Sequence, residues 1–583
     1  MYEIYPLGYT GPMVEHKPPE EFRTEYVVVG GVAGGMSAAA RLRRLDESAS
    51  IIVLERGRYV SFANCGLPYY VGGEIADEES LIVQTPTSLA AWLNLDVRTG
   101  HEVIGLDAAH HRVQVSTPSG IEELRYDALI LSPGALPAKP PIPGLDQPGV
   151  CTLRSVDDAI TIRKLIDEGA RDAVVLGAGF IGIEAAEALV RQGLHVSVVE
   201  YAPHVLPPLE RELAFLVAEE MRRLGMDVKQ SVAASGITAD HGRTVVELST
   251  TGRIAADVVI LSVGTVPDTA IFAEAGVACE RGSIIVDEYG RTNCADVYAV
   301  GDATLSTDAV TGVRRPVQLA GPANRAGRLV ADAIGAPFPS RPVPKPLGTA
   351  IVRIGTLTVA MTGANRASLD AAGRSYTTIH THPLSHAGYF PGAEQMHMIV
   401  HIDSETGEIL GAQCVGQEGV DKRIDVLATA MRGGISAPGL IDLDLAYSPP
   451  YGSAKDPVTM VGLVADNVLT GQTRLWHPEQ LDWARSGEVA LLDVRTPEEF
   501  ASGHLPEAVN IPHTELRARV EEVRAMATGR PVAIMCQSGV RSYIAHRILA
   551  AAGFDSATLS GGMLTLRAWL GDEADSILVS TTE

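Results

Sequence analysis

The chain has 583 residues, with 47 Lys and Arg against 71 Asp and Glu and a formal net charge of −24. This length predicts about four domains, and the negative charge excludes a polyanionic nucleic acid as partner. Six cysteines without a CxxC pair exclude a disulfide framework and argue against a metal site, so we expect reduced thiols and a cytoplasmic protein. No apolar run is long enough for a membrane span, and residues 1–24 are predicted to be an N-terminal arm, because they lack the features of a signal peptide.

The first predicted elements are a strand at 26–29, a glycine turn, a helix at 36–45 and a second strand that ends at Glu55. The same pattern recurs between 173 and Glu200. Strand, glycine turn, helix, strand and acid together predict a dinucleotide-binding unit: the turn and the helix N-terminus hold a pyrophosphate, and the acid binds a ribose. The predicted turn residues are Gly30, Gly31, Ala33, Gly34 and Gly35 in the first unit, and Gly177, Gly179 and Gly182 in the second.

The two turns differ in how closely they match the GxGxxG pattern. The second matches it in full, whereas Val32 replaces the middle glycine of the first. A single turn of this kind is often only a tight connection, but two turns with correctly spaced acids predict two nucleotide sites. Glu200 favours NADH over NADPH, because a carboxylate repels a 2′-phosphate and no Arg or Lys immediately follows it.

A proline-rich stretch at 335–346 and a second break near 469–478 separate the rest of the chain into an α+β segment and a final α/β segment. The predicted parts are an N-terminal arm (1–24), a first nucleotide-binding domain (25–150 and 265–335), a second one (151–264), an α+β domain (345–464), a linker (465–477) and a C-terminal α/β domain (478–575).

Two further segments, TNCADVYAVGD at 292–302 and YDALILSPG at 126–134, resemble motifs of the FAD- and NAD-linked disulfide reductases. The resemblance implies two Rossmann-like domains, the first for FAD and the second for NADH, with Asp302 holding the ribityl chain. It also implies that Asn64, Ser132, Gly134 and Gly264 contact the cofactors.

Cys65 lies in SFANCGLPYY, directly after the first unit, at a predicted helix start where N–H groups would stabilise a thiolate. A lone cysteine is most often a small buried hydrophobe, but the polar loop before it favours a redox role. Two-cysteine reductases of this fold carry a second cysteine where this chain has Tyr70. The redox partner of Cys65 is therefore an external thiol, a sulfur atom, or oxygen acting on a sulfenate.

The segments GGVAGGMSAAARLRR, SFANCGLPYY, LAGPANRAGR, HAGYFPGA and AYSPPYGSAKD closely resemble coenzyme A disulfide reductases, over about residues 25–464. The resemblance implies CoA binding by Ser37, Arg41, Arg44, Ser61, Asn64, Asn324 and Lys455. It also implies a homodimer in which Tyr389 and Tyr447 reach the cysteine of the neighbouring subunit. The chain departs from the pattern at Phe390, at Leu93, where some members have a CoA-binding lysine, and at Asn324, where some have histidine.

The last segment resembles a rhodanese domain over about 478–575, through LDVRTPEEF, GHLP, NIP and CQSGVRS. Cys536 follows a predicted buried strand and opens a loop whose N–H groups favour a persulfide, and Arg541 adds a cation at the loop's end. The other four cysteines, Cys151, Cys279, Cys294 and Cys414, are predicted to be structural.

The favoured hypothesis is an NADH-dependent flavoprotein that reduces CoA persulfide, polysulfide or CoA disulfide at Cys65, with sulfur transfer at Cys536. An NADH oxidase or peroxidase with a sulfenate at Cys65 is the alternative. Ala33 stands against a peroxidase, because such enzymes resemble GxxHGG with histidine at that position. A flavin-bound sulfur sensor without turnover is a third hypothesis.

Overall fold

The computed structural model describes residues 24–581, so the predicted N-terminal arm lies outside it apart from Thr24. The first domain begins with a βαβ unit and two small antiparallel sheets. Its elements up to residue 137 are β1 (Glu25–Val29), α1 (Ala33–Leu45), β2 (Ser50–Glu55), α2 (Leu67–Val71), α3 (Pro86–Leu93), β3 (Asp96–Thr99), β4 (Glu102–Asp107), β5 (Arg112–Thr117), β6 (Gly120–Arg125), β7 (Ala128–Leu131) and β8 (Ala135–Pro137).

The second domain is inserted into the first and repeats the βαβ pattern. Its elements are β9 (Val150–Cys151), α4 (Val156–Asp167), β10 (Asp172–Leu176), α5 (Phe180–Arg191), β11 (His195–Val199), α6 (Arg211–Arg223), β12 (Asp227–Lys229), β13 (Ala234–Asp240), β14 (Arg243–Leu248), β15 (Arg253–Ala256) and β16 (Val258–Leu261). The parallel sheet has the order β12-β11-β10-β16-β9.

The chain then returns to the first domain, which is completed by β17 (Thr265–Pro267), α7 (Ala270–Glu274), β18 (Cys279–Glu280), β19 (Ser283–Ile285), β20 (Val297–Ala299), β21 (Thr304–Thr307), β22 (Arg314–Pro316) and α8 (Ala320–Gly335). Strand β20 closes the first parallel sheet, in the order β20-β7-β1-β2-β3. Val27 and Val28 on β1 are fully buried, because helices and small sheets cover both faces of this sheet.

The third domain is an antiparallel sheet of order β23-β24-β27-β26-β25 with helices packed on it. Its elements are β23 (Ala350–Ile354), β24 (Leu357–Gly363), α9 (Arg366–Ala371), β25 (Tyr376–Thr381), β26 (Met396–Asp403), β27 (Ile409–Gly416), α10 (Val420–Gly433) and α11 (Pro457–Leu469).

The fourth domain is a parallel sheet of order β28-β32-β31-β29-β30 between helices. Its elements are β28 (Leu475–Trp476), α12 (Leu481–Arg485), β29 (Ala490–Asp493), α13 (Pro497–Ala501), β30 (Val509–Asn510), α14 (Val520–Ala527), β31 (Val532–Met535), α15 (Val540–Ala551), β32 (Ser556–Leu559), α16 (Gly562–Leu570) and α17 (Ala574–Ile577).

The fourth domain packs against the rest of the chain through α16. Trp569 lies under two guanidinium groups, those of Arg211 on α6 at 4.6 Å and of Arg366 on α9 at 5.7 Å from the ring centroid. Such contacts are attractive because the face of the indole ring is electron-rich. The second and third domains therefore both contact α16.

Candidate active sites

The first glycine turn joins β1 to α1, which begins at Ala33, so that Ala33, Gly34 and Gly35 form the first turn of the helix. Gly30 has φ +96°, and a Cβ there would lie 2.0 Å from the Ser132 carbonyl oxygen. Glu55 accepts hydrogen bonds from the Gly31 N–H at 2.9 Å and the Gly57 N–H at 2.8 Å. These bonds hold the carboxylate at the end of β2, beside the turn.

A cleft of about 490 Å³ runs from this turn to the first thiol. It is lined by Gly30, Ala33, Gly34, Glu55, Asn64, Cys65, Ser132, Gly134 and Asp302. The Asp302 carboxyl lies 3.9 Å from the guanidinium of Arg154, and burial raises its pKa. A glycine turn and an acid at one end, and a thiol at the other, fit a flavin dinucleotide with its pyrophosphate at the N-terminus of α1.

The second glycine turn has the same backbone geometry, since Gly177 also has φ +96° and packs against the Ser262 carbonyl. Glu200 is buried and accepts hydrogen bonds from the Ala178 N–H at 2.6 Å and the Ala202 N–H at 2.7 Å. At Gly179 and Gly264 a Cβ would meet no atom of residues 24–581 within 4 Å. This open backbone beside the helix start fits the approach of a second pyrophosphate.

Cys65 lies in the short turn Asn64–Gly66 that leads into α2, and it is exposed to the cleft. Burial raises the pKa of its thiol, the carboxylates of Glu184 and Asp302 raise it further, and Arg154 lowers it. This direction is opposite to the sequence-based expectation of a stabilised thiolate. Burial of the thiol is the largest cause of this direction, and the carboxylates of Glu184 and Asp302 add to it.

Two residues of this site were missed by the sequence analysis. The side-chain amide N–H of Asn64 donates to the backbone carbonyl of Arg154 at 3.0 Å, and the Arg154 guanidinium donates to the side-chain oxygen of Asn64. The same guanidinium also donates to the Ala135 carbonyl at 3.0 Å. Glu184 on α5 accepts a hydrogen bond from the Tyr69 hydroxyl at 3.3 Å, and burial raises its pKa. Both come from the second domain's part of the chain, and no local motif marks them.

The residues expected to bind CoA are only partly brought together. The Ser37 hydroxyl donates to the Asn324 carbonyl at 2.8 Å, which places α1 beside α8. Arg41 forms an ion pair with Asp332 at 2.6 Å, whereas Arg44 is exposed. Ser61 has φ +45° and donates its backbone N–H to the Gly31 carbonyl oxygen, and Asn64 is engaged by Arg154. Lys455 is exposed on the third domain.

Tyr389 and Tyr447 lie together on the third domain, with their hydroxyl oxygens 3.0 Å apart. Both rings are largely exposed, at 77% and 50%. Neither tyrosine lines the cleft that contains Cys65 in its own chain. The pair therefore presents two phenolic hydroxyls outward from the third domain.

Cys536 follows β31 and is fully buried. Its sulfur accepts a hydrogen bond from the Gly539 N–H at 3.1 Å and lies 3.4 Å from the Ser542 hydroxyl. Gly539 has φ +96° and precedes the first residue of α15, so the loop wraps its backbone around the sulfur. One backbone N–H of the loop therefore bonds to the sulfur, and a nest of several N–H groups that holds a persulfide stays a prediction.

Arg541 is not a free cation at the end of this loop. Its guanidinium makes two bonds to the Glu499 carboxylate, at 2.6 and 2.8 Å, and this pairing lowers the pKa of Glu499 to about 2. Behind the pair, Arg495 and Asp493 form a second, buried ion pair at 2.8 Å. Charge at the loop is therefore largely balanced by carboxylates, which the sequence analysis did not anticipate.

Family models match three parts of the chain: pyridine nucleotide-disulphide oxidoreductase over residues 24–327, the dimerisation domain of those oxidoreductases over 349–457, and a rhodanese-like domain over 478–568. The first match covers more than half of the 583 residues. The chain belongs to the pyridine nucleotide-disulphide oxidoreductase family. The predicted fold class, with two Rossmann-like domains, an α+β dimerisation domain and a C-terminal rhodanese domain, is confirmed.

Relatives match over most of this oxidoreductase. The coenzyme A disulfide reductase of Staphylococcus haemolyticus is 33% identical over 445 residues, covering 75% of this chain and 98% of that protein. The structure of reduced Bacillus anthracis CoADR-RHD aligns with a TM-score of 0.92 and 39% identity over 96% of this chain and 99% of that one. A NAD-dependent persulfide reductase from A. fulgidus aligns with a TM-score of 0.86 and 36% identity over 93% of this chain and 100% of that one.

Oxidases are more distant. A water-forming NADH oxidase from Lactobacillus brevis has 22% identity and a TM-score of 0.73 over 77% of this chain and 99% of that one, which shows a shared fold alone. Membership of the family implies FAD and NAD(P)H as cofactors. Among the helices of residues 24–581, none is long and apolar enough to cross a membrane. In the same range, no group of three or more His, Cys, Asp or Glu side chains is arranged for a metal ion.

Proposed function

We propose that this oxidoreductase uses NADH to reduce sulfane sulfur and disulfides, namely CoA persulfide, polysulfide or CoA disulfide. The observation that carries the proposal is the pairing of two thiol centres in one chain. Cys65 lies in the nucleotide cleft of the first domain, and Cys536 lies in an N–H-lined loop of the rhodanese domain. A sulfurtransferase adds nothing to the reduction of CoA disulfide alone, so the fusion favours a sulfane-sulfur substrate.

At the first centre, Cys65 is the nucleophile. Its thiolate attacks the outer sulfur of CoA persulfide, CoA leaves as a thiol, and Cys65 carries that sulfur as a persulfide. FAD and NADH, when bound, supply the electron pair that returns Cys65 to the thiolate and releases hydrogen sulfide. Each turnover consumes one NADH and one proton. With CoA disulfide, the same attack gives a mixed disulfide between Cys65 and CoA and releases one CoA, and reduction of that mixed disulfide releases the second CoA.

At the second centre, the Cys536 thiolate takes the terminal sulfur of a polysulfide and leaves that chain one sulfur shorter. The resulting persulfide is stabilised by the loop, whose Gly539 N–H donates to the Cys536 sulfur. A CoA thiolate then attacks the outer sulfur, which restores the Cys536 thiolate and yields CoA persulfide for the first centre. CoA thereby links the two thiols.

The surroundings of Cys65 assign further roles. Tyr389 and Tyr447 of a homodimer would reach the cysteine of the neighbouring subunit and donate protons to the leaving sulfur, because they are exposed and lie outside their own chain's cleft. The buried carboxylate of Glu200 favours NADH over NADPH. All six cysteines are free thiols, which supports a reducing, cytoplasmic setting.

The test is anaerobic NADH oxidation by the wild type, Cys65→Ser and Cys536→Ser, each with polysulfide, CoA persulfide and CoA disulfide. We expect Cys65→Ser to abolish all three activities and Cys536→Ser to lower only polysulfide turnover. If Cys65→Ser reduces all three acceptors at the wild-type rate, the proposal is wrong. Cys151→Ser serves as the matched control, because Cys151 lies on β9 and lines no part of the cleft.

A further inference from the structure

The rhodanese domain meets the third domain at two consecutive glycines at the start of α16. Gly561 and Gly562 have φ +70° and +66°, a conformation that strongly favours glycine. A Cβ on Gly561 would lie 2.6 Å from the Cβ of His380 and 2.8 Å from the Nε2 of His382. The backbone at the start of α16 is therefore pressed against two histidines of strand β25 and the loop after it.

Two hydroxyls flank these glycines and bond to the same histidines. Ser560 Oγ accepts from the His380 backbone N–H at 3.1 Å and is hydrogen-bonded to the His380 Nδ1 at 2.8 Å. The Nε2 of His380 in turn donates to Glu212 at 2.9 Å. Thr565 Oγ1 is hydrogen-bonded to His382 Nε2 at 2.8 Å, and His382 Nδ1 lies 2.9 Å from Nδ1 of His397.

The same first turn of α16 holds the loop that carries the second thiol. The N–H of Met563 donates to the Cys536 carbonyl at 2.8 Å, and the N–H of Leu564 donates to the Gln537 carbonyl at 3.0 Å. In a trans peptide the N–H points opposite to the C=O. Fixing these two carbonyls on α16 therefore turns the N–H groups of Gln537 and Ser538 away from that helix, to the other side of the loop.

A continuous path of short contacts thus connects the third domain to the sulfur loop. It runs from His380 and His382, through Ser560 and Thr565, to the N–H groups that fix the loop carbonyls. The N–H of Gly539, which donates to the Cys536 sulfur, directly follows these two fixed peptides in the chain, so a shift of α16 moves the loop that holds this N–H.

We propose that His380 and His382 of the dimerisation domain are positioning residues for sulfur transfer at Cys536, acting through Ser560 and Thr565 at α16. This inference rests on the proposed function of Cys536. It makes the rhodanese centre dependent on docking against the reductase, although the two are separate domains.

The test uses the full-length holoenzyme and the variants Ser560→Ala and Thr565→Val, singly and together. Sulfur transfer from thiosulfate to cyanide is measured against pH, with NADH-dependent CoA disulfide reduction as the internal reference. Ser556→Ala is the matched control, since Ser556 is equally buried and bonds to His546 at 2.8 Å inside the rhodanese domain. Thr565→Ser keeps the hydroxyl and serves as the rescue variant.

We expect the double variant to lose about tenfold in sulfur transfer and to shift its pH profile towards alkaline pH, with CoA disulfide reduction unchanged. Ser556→Ala and Thr565→Ser should retain the wild-type profile. The inference is overturned if the double variant keeps that profile, if Thr565→Ser loses as much activity as Thr565→Val, or if both activities fall equally. Wild-type sulfur transfer by Cys536→Ser would instead overturn the proposed function itself.

Discussion

Acidification should loosen the contact between the rhodanese domain and the rest of the chain. Burial lowers the pKa of His397 from its ordinary 6.5 to about 4 and that of His477 to about 3, and it also lowers the pKa values of the neighbouring His382 and His401. A histidine with a lowered pKa leaves the free energy of unfolding unchanged while it is neutral in both states, and it destabilises the folded state once the unfolded imidazole is protonated. Stability is therefore complete above pH 6.5 and is lost as the pH falls from 6.5 towards the folded pKa.

The size of the effect follows from these pKa values. Between pH 7 and pH 5, His397 and His477 each lower the free energy of unfolding by up to about 2 kcal/mol, because the unfolded imidazole binds a proton and the folded one does not. The side chains of His397 and His477 keep some contact with solvent, which reduces their summed contribution to about 3 kcal/mol. The buried carboxylates of Glu210 and Glu212, whose pKa values are lowered, contribute stability above about pH 4.5 and stay ionised in this window.

The assay is urea unfolding of the holoenzyme at pH 7 and pH 5, followed by tryptophan fluorescence, because Trp569 lies in the contact. His397→Gln removes one titrating group and should lose part of the pH-dependent destabilisation, while His382, His401 and His477 still contribute. His241→Gln is the control, since the His241 side chain is 98% exposed. Equal pH dependence in the wild type and His397→Gln would refute the reasoning.

Three further outcomes are expected. Arg154→Met removes a cation that lowers the Cys65 pKa, so alkylation of Cys65 by iodoacetamide should need a higher pH than in the wild type, with Arg154→Lys restoring most of the shift. Tyr201→Arg places a cation at an 82% exposed position after the acid of the second site, and the ratio of kcat/KM for NADPH to that for NADH should rise about fivefold. Gly561→Ala should lower the free energy of unfolding in urea by about 3 kcal/mol, because the new Cβ would collide with neighbouring atoms. The control Gly553→Ala places its Cβ in open space and should lower the free energy of unfolding by about 1 kcal/mol.

The glycine turns were predictable from the sequence because their chemistry is local. Gly30 and Gly177 adopt the same φ of +96°, and each turn is followed about 23–25 residues later by a carboxylate that bonds back to it. The loop of Cys536 was predictable for the same reason, since its strand, glycine and helix are adjacent in the chain.

What the sequence could not show are contacts between distant segments. Arg154 reaches Asn64 across 90 residues of chain, Glu499 neutralises Arg541 from 42 residues away, and Ser560 meets His380 across 180. Each pair is made by the packing of separate elements, and no periodicity or motif in either segment predicts it. The pKa of Cys65 is raised first by burial and then by the carboxylates of Glu184 and Asp302, which a local argument from the helix start does not include.

The different exposure of the two thiols bears on damage by oxidants. Peroxide oxidises a cysteine according to its thiolate character and its accessibility. Cys65 is exposed and lines the cleft, whereas Cys536 is buried behind the loop that leads into α15. We therefore expect peroxide to oxidise Cys65 faster than Cys536 in the resting protein. Under the proposed function, the thiol that meets small oxidants first is also the thiol that receives electrons during turnover.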